Sequence, residues 1–500
     1  MPAPKSYRPW SPHQPYLLPP SPGDWLPRDH LAYFVLDLVH ELDLSAIEDA
    51  IGERDPRGVR PYDPRFLVAL LLYGYAAGVV SSRKLVRATF EDVGLRVISG
   101  GEHPHFTTIC DFRRTHLEAL EGLFVQVLRL CQEAGLVELG HVSIDGTKMQ
   151  ANASKHRAMS YDRMLSERTR LEREVRELLR RAEEADAAED ARYGVGKDGY
   201  DLPEELRHRE SRLEKIRQAK ARLEEEARAS RARDLREQAE GHQRTAEEHA
   251  DPVVRKRAET RRKKSEAAAE ELEDDNPQGS LFFESEPTET PLPHHKVAAT
   301  PEGLPRARAQ MNFTDPDSRI MEYQGGFIQG YNGQIAVDAA NQIIVAQALT
   351  NQAPDNQHLI PLLERVERDC GVPTRVTADT GYWSRTGADV CQKKGIDAYI
   401  AVGRLKHGWV RATPPAEGPA PEEASARERM RHKLQTPLGR ETYRLRKCIP
   451  EPVFGQIKAA RGLRQFLHRG LRKVRWEWAM YCTGHNLLKL FASRRRVAGT

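Results

Sequence analysis

The stretch 141–154, HVSIDGTKMQANAS, decides how this chain is read. Val142, Ser143 and Ile144 have the pattern of a short strand, which runs straight into Asp145-Gly146. Asp-Gly fits a tight primed turn, because both residues tolerate positive φ. On that reading Asp145 is the corner of a hairpin. On the other, a carboxylate is held at the end of a buried strand to bind something. The stretch by itself leaves both open.

A second stretch rhymes with it. VSIDGT (142–147) and VTADTG (376–381) each place an Asp directly after three strand residues, with small or hydroxyl residues behind it. In an α/β sheet, ligands bind outside the carboxyl ends of the strands. Two carboxylates on neighbouring strands repel one another unless a cation sits between them. Magnesium takes oxygen ligands and is commonly held by one or two carboxylates together with substrate phosphate. Two such ions about 3.5–4 Å apart serve phosphodiester chemistry. A pair of Asp would then want a third carboxylate. Without such a site, each Asp is a turn or cap residue.

The C-terminal part supplies a candidate. From Tyr443 onward, Lys and Arg residues are dense, including Arg446, Lys447, Lys458 and Arg464, while the acids are only Glu451 and Glu477. A polyanionic partner is the natural expectation, since Lys and Arg contacts to phosphates release counterions and supply most non-specific DNA affinity. Glu451, just before Pro452, suits the N-terminal dipole of a helix. Beside two strand-end Asp residues it is also the best third ligand.

Five ordered stretches now carry a resemblance: SIDGT (143–147), FTDPDSRIM (313–321), GFIQGYNGQIAVDA (326–339), VTADTGY (376–382) and EPVFGQIKAARGLRQFLHRG (451–470). Together they resemble the insertion-sequence transposases of the DDE class, over nearly the whole chain. The resemblance implies an RNase H-like catalytic domain. It implies that Asp145, Asp379 and Glu451 are a metal-binding catalytic triad, on the first strand, the fourth strand and a late helix. Magnesium would be the cofactor, two ions per site, with manganese able to substitute. It further implies double-stranded DNA as partner, terminal inverted repeats and target alike, held by a homodimer on paired ends. Many relatives carry Y-x2-R-x3-E-x6-K on the last helix. Glu451 and Lys458 keep the E-x6-K spacing, which places Lys458 near the scissile phosphate. Tyr443 and Arg446 keep their mutual spacing but sit one residue too far from Glu451, and Lys447 holds the position expected of the Arg. Lys458, Lys447, Arg446, Tyr443 and Arg464 are the DNA contacts expected from this part of the chain. An inactive end-binding repressor and an RNase H-like nuclease without strand transfer remain as alternatives.

Other acids compete for the site. Asp315 and Asp317 look like a turn before a strand, Asp338 ends a strand, Asp355 looks like a helix cap, and Glu477 is expected to face a groove or pair with an arginine. Trp383 is expected in core or loop packing, with stacking on a base as the alternative.

The expected architecture is α/β: a mixed sheet with helices, preceded by an all-helical N-terminal domain and interrupted by a long, coiled-coil-like helical insertion. Residues 1–135 form the helical domain, in which Asp63-Pro64 starts one helix and residues 107–131 predict a single long one. Its short helices and tight turns suit a helix-turn-helix-like reader of DNA ends, with Arg113 and Arg114 as candidate contacts. A plain helical bundle is the alternative. Residues 156–305 form the insertion, a two-helix hairpin whose seam includes Leu171, Leu213, Ile216 and Leu223, followed by a linker. Residues 136–155 and 306–500 form the catalytic domain.

Bulk properties agree with this. Five hundred residues exceed one ordinary core. The net charge is only +4 with 30% of residues charged, so any basic surface is local. The longest apolar run, Phe66 to Ala77, is shorter than the roughly 20 residues that span a bilayer, so no membrane partner is expected. The Pro-rich opening residues lack a secretion pattern, and the six cysteines have neither CxxC nor zinc spacing. A cytoplasmic, nucleoid-associated protein with reduced thiols is expected.

Overall fold

The computed structural model describes residues 24–52, 61–193, 204–274, 291–403 and 415–498. The Pro-rich opening residues, the Gly-rich bend with Asp201 and Pro203, and linker residues 275–290 lie outside them. The chain divides into two compact units, residues 1–130 with 483–500 and residues 131–482.

The first unit is helical: α1 (Leu31–Glu41), α2 (Ser45–Gly52), α3 (Pro64–Ala77), α4 (Ser82–Glu91), α5 (Val93–Ser99), α6 (Phe106–Thr115) and most of α7 (Leu117–Glu133). The Asp63 side chain accepts the Arg65 N–H at 2.8 Å and Pro64 fills the first turn of α3, as the sequence predicts. Residues 67–76 of that helix are buried throughout. No single described helix is long and apolar enough to cross a membrane; α3 and α4 reach that length and composition only as a pair bent by 94°. The single helix predicted over 107–131 is two, because the chain breaks at His116 (φ −113°, ψ 33°), where Thr115 and His116 are both weak helix formers.

The second unit opens with β1 (Val142–Gln150), a continuous nine-residue strand. Asp145-Gly146 is neither a turn nor a strand end, since Asp145 pairs with Ile335 and Gly146 with Gln334 inside the ladder. After β2 (Ala158–Ser160) the insertion has three helices instead of a hairpin: α8 (Tyr161–Tyr193), α9 (Glu204–Glu248) and α10 (Pro252–Asp274). Pro252 cannot continue a helix, and Asp251 accepts the Val253 N–H at 2.8 Å to start the third one. Leu171, Leu213, Ile216 and Leu223 share a buried cluster with Met159, Val297 and Met311. Ion pairs Arg209–Glu174 (3.0 Å) and Arg217–Glu172 (3.2 Å) cross between α8 and α9. They are well exposed, so each contributes at most about 1 kcal/mol.

The strand β3 (Gln310–Asn312) pairs with β2. Then come β4 (Arg319–Tyr323), β5 (Gly326–Asp338), β6 (Ile344–Thr350), α11 (Leu359–Asp369), β7 (Arg375–Ala378), α12 (Arg385–Lys393), β8 (Asp397–Ile400), α13 (Ala426–Gln435), α14 (Pro437–Cys448), α15 (Pro450–Gly455) and α16 (Leu471–Ala498). The fold is mixed α/β, with the sheet ordered β6-β5-β1-β7-β8 and β4 added on the leading end of β5. β5 runs antiparallel to β1 and β6, whereas β7 and β8 are parallel to β1 and to each other. The sequence predicts β5 only from Gln334; its earlier half is glycine-rich because Gly333 lies against the Trp478 ring, where an added Cβ would stand 3.2 Å from ring carbons. The sequence predicts a helix from Glu451 to Phe466, but the helix ends early, in a π-turn at Gln456–Ala460. The chain then extends so that the Phe466 N–H reaches Gln150 O at 2.9 Å.

In the linker that closes the insertion His294 is buried and His295 half-buried, and desolvation pushes both imidazoles down to about 3. Between pH 3 and 6.5 the unfolded chain therefore binds more protons than the folded one, so stability rises with pH across that window and is complete above it. Stability measured by equilibrium unfolding is expected to fall by about 1.4 kcal/mol per histidine for each pH unit from 6.5 down to about 3. A His294→Gln/His295→Gln variant should flatten that slope, and an unchanged slope would contradict the assignment.

Candidate active site

Alternation along β1 sends Ser143, Asp145 and Thr147 to one face of the sheet and Gly146 and Lys148 to the other. On the first face the three side chains meet one stretch of chain in order. Ser143 Oγ donates to Arg446 O at 3.3 Å, Asp145 Oδ2 lies 3.6 Å from Arg446 Nη1, and Lys458 Nζ donates to Thr147 Oγ1. Arg446 belongs to α14 and Lys458 to the π-turn, so Glu451 lies between them in sequence, in the first turn of α15. α15 packs on β1 and β5. Glu451 itself is exposed and, among the described residues, has no hydrogen bond or ion pair.

The parallel register Val142–Val376, Ser143–Thr377 and Ile144–Ala378 ends there, and the next residue on each side is an aspartate, Asp145 and Asp379, near enough for the charge of one to act on the other. Asp379 follows the end of β7, and its Oδ1 accepts the Gly381 N–H at 2.8 Å, capping a short turn. Asp145 is nearly enclosed. Burial first, opposed by Arg446 and reinforced by the charges of Asp379 and Asp355, raises its carboxyl to about 6. Arg446 Nη1 is buried without a hydrogen-bond partner among the described residues, so the one guanidinium nearest Asp145 compensates it incompletely. Among the described residues no three His, Cys, Asp or Glu side chains form a ready ligand set. Asp145 and Asp379 are brought together as neighbours, and Glu451 is close to them in topology only.

The opposite face holds a network that the sequence does not announce. Asp355 accepts from Lys148 Nζ at 3.0 Å, Asn332 Nδ2 at 2.7 Å and Gln334 Nε2 at 2.8 Å, and Tyr382 OH donates to Gln334 Oε1. Asp355 is no helix cap, since α11 starts at Leu359. Gly146 makes room for this network: a Cβ there would stand 2.4 Å from Gln334 Nε2 and 3.1 Å from Asp355 Oδ1. The glycine of Asp145-Gly146 thus leaves room for side-chain ends packed against β1 and makes no turn. Gly146→Ala is expected to displace Gln334 and to cost about 1–3 kcal/mol of stability. Denaturant unfolding within about 0.5 kcal/mol of wild type would contradict that role.

Several expected roles change. Arg113, expected to contact DNA, is buried, and its guanidinium donates to Val80 O at 2.8 Å and Ser82 Oγ at 3.1 Å. Arg114 is exposed beside Asp111. Arg446 turns inward to Asp145, while Lys447 faces solvent. The one-residue offset before Glu451 falls where α14 gives way to α15 at Pro450, which cannot extend α14. Tyr443 is half-buried with its ring 6.0 Å from the Arg446 guanidinium, and Arg464 is exposed. Asp315 and Asp317 accept the Gly470 and Leu471 N–H groups at the start of α16. Asp338 accepts from Leu139 and Ala340. Glu477 neither faces a groove nor meets an arginine; it is buried and accepts from the Leu467 and His468 backbone and the His468 ring. Trp383 is half-buried.

Residues 419–491 match a family described as a transposase DDE domain, and residues 20–115 match a transposase domain. The two matches together support an insertion-sequence transposase of the DDE class. Within this transposase, Tyr443, Arg446, Lys447, Glu451, Lys458 and Arg464 fall inside the first match, and Arg113 and Arg114 inside the second. Asp145 and Asp379 fall outside both. No curated protein and no solved structure matches the chain.

Proposed function

We propose that this transposase binds the terminal inverted repeats of its mobile element and catalyses metal-dependent strand cleavage and strand transfer, with Asp145, Asp379 and Glu451 as the catalytic carboxylates. The observation that carries it is the ordered contact of Ser143, Asp145 and Thr147 with Arg446 and Lys458, the residues that bracket Glu451. The sheet order β6-β5-β1-β7-β8, three antiparallel strands followed by two parallel ones, supports an RNase H-like catalytic domain built from 136–155 and 306–500. Residues 1–135 are assigned to binding DNA ends and 156–305 to an accessory insertion.

The donor set fits a hard divalent cation. Two carboxylates adjoin on neighbouring strands, one of them enclosed, and the nearest guanidinium neutralises them only in part. Asp145 and Asp379, joined by Glu451, would hold magnesium or manganese, two ions when DNA is bound. When bound, such ions would supply the positive charge that favours an ionised attacking water or 3′-hydroxyl and offsets charge on the leaving oxygen. Lys458, anchored on Thr147, binds the phosphate beside Asp145. Arg446 holds the Asp145 carboxylate in place, and Lys447, Tyr443, Arg464 and Arg114 contact DNA around it. A homodimer would hold two ends for joining.

Purified protein with magnesium or manganese is expected to nick element-end duplexes and to yield strand-joined product. Binding without nicking would favour an inactive repressor, and nicking that never yields joined product would favour a nuclease.

A further inference from the structure

Two open clefts of about 380 and 530 Å³ adjoin along the far half of β1 and share Gln150 and Ile328. The first begins at Lys148 and Lys458 and includes Arg464; the second reaches Lys155, Arg157 and Arg469. No aspartate or glutamate lines either one. Asp145 lies five residues before Gln150 on the same strand, about 17 Å along it. The first cleft therefore touches the proposed active site through Lys458, which bonds Thr147, and the second leads away from it.

One wall is the β4–β5 hairpin. Its tip is a two-residue turn at Gln324 (φ 51°) and Gly325 (φ 76°), and just beyond it Phe327 is 61% exposed in the wall of the larger cleft. An exposed phenyl ring on a basic, acid-free wall gains nothing from water. A base stacked on it gains contact, and the flanking cations suit that base's phosphates. Duplex DNA keeps its base faces stacked on one another and must be unstacked to reach the ring, so an unpaired strand uses it at the lower cost.

We propose that this cleft is the track for an unpaired DNA strand flanking the scissile phosphate, with Phe327 as a base-stacking platform and Arg157 and Arg469 as phosphate contacts. The proposal rests on the assignment of Asp145 to the active site.

The test measures full-length protein without divalent metal, binding a blunt duplex and the same duplex carrying an oligothymidine flank, by fluorescence anisotropy. Phe327→Ala should weaken binding of the flanked duplex by roughly 5- to 100-fold, the size of one base stack, and leave the blunt duplex within twofold. Phe327→Trp should restore it. Arg157→Ala with Arg469→Ala should lower the salt dependence of flank binding by about 0.7 per lost phosphate contact. Equal affinity of wild type for the two duplexes, or a Phe327→Ala loss that is equal on both, would overturn the proposal. Because no cleavage is required, a protein that grips the flank but never cuts with metal contradicts the active-site assignment while the cleft stands.

Discussion

Asp145→Asn is expected to lose DNA cleavage by on the order of a thousandfold while gaining stability, with DNA binding kept within a few-fold. The two effects have one cause. In the folded chain the carboxyl titrates at about 6, against 3.8 for an ordinary Asp, chiefly because it is buried. From pH 3.8 to 6 the folded state binds the proton more tightly than the unfolded one, so stability falls as pH rises through that window. Above pH 6 the ionised group costs about 3 kcal/mol in metal-free protein. An asparagine has no charge to desolvate. Denaturant unfolding at pH 8 without metal should therefore show the variant as the more stable protein, and the gain should vanish below pH 4. A carboxylate kept only for structure would behave oppositely, losing stability when neutralised. An inactive variant that is also less stable at pH 8 would contradict this account of Asp145.

The largest expected loss of stability lies elsewhere in the same unit. Arg319 in β4 and Glu226 in α9 pair at 2.5 Å with side-chain exposures of 7% and 8%. The pair ties the insertion to the sheet. Arg319 also donates to Ser318 O at 3.0 Å and to Pro316 O, so its charge is fixed in place whether or not the glutamate is there. Glu226→Leu leaves that guanidinium buried without a counter-charge and should cost about 3–5 kcal/mol. Adding Arg319→Met removes the stranded charge and should recover most of the loss, because a buried pair and a packed apolar pair differ little and Arg222, the other partner of Glu226, keeps its ion pair with Asp317. Denaturant unfolding of the two single variants and the double variant checks this. A single-variant loss under about 1 kcal/mol, or a double variant no better than Glu226→Leu, would show the pair to be incidental.

Much of the fold was legible in local chemistry. Asp63-Pro64 announces a helix start, and VTADTG places Asp379 at a strand end, because both depend on neighbouring residues. Asp145-Gly146 misled because its composition is that of a turn, while its conformation is set by pairing with Ile335 and Gln334, nearly two hundred residues away. The same holds for Arg113 and Glu477. Their charges suggest a surface, but Val80, Ser82 and the Leu467–His468 backbone satisfy them inside. Arg446 escaped the family spacing because that spacing takes no account of the break at Pro450. Asp355 and Lys148 were invisible as a pair, since their ion pair joins distant segments around a glycine chosen for its size.

The most direct measurement of the central claim is manganese binding to the protein on element-end DNA, followed by electron paramagnetic resonance of the ion. Wild type should bind, and Asp145→Asn, Asp379→Asn and Glu451→Gln should each weaken binding by at least about tenfold while DNA affinity is retained. Wild-type manganese affinity and cleavage in Asp379→Asn would contradict the claim that these carboxylates form one metal-dependent site.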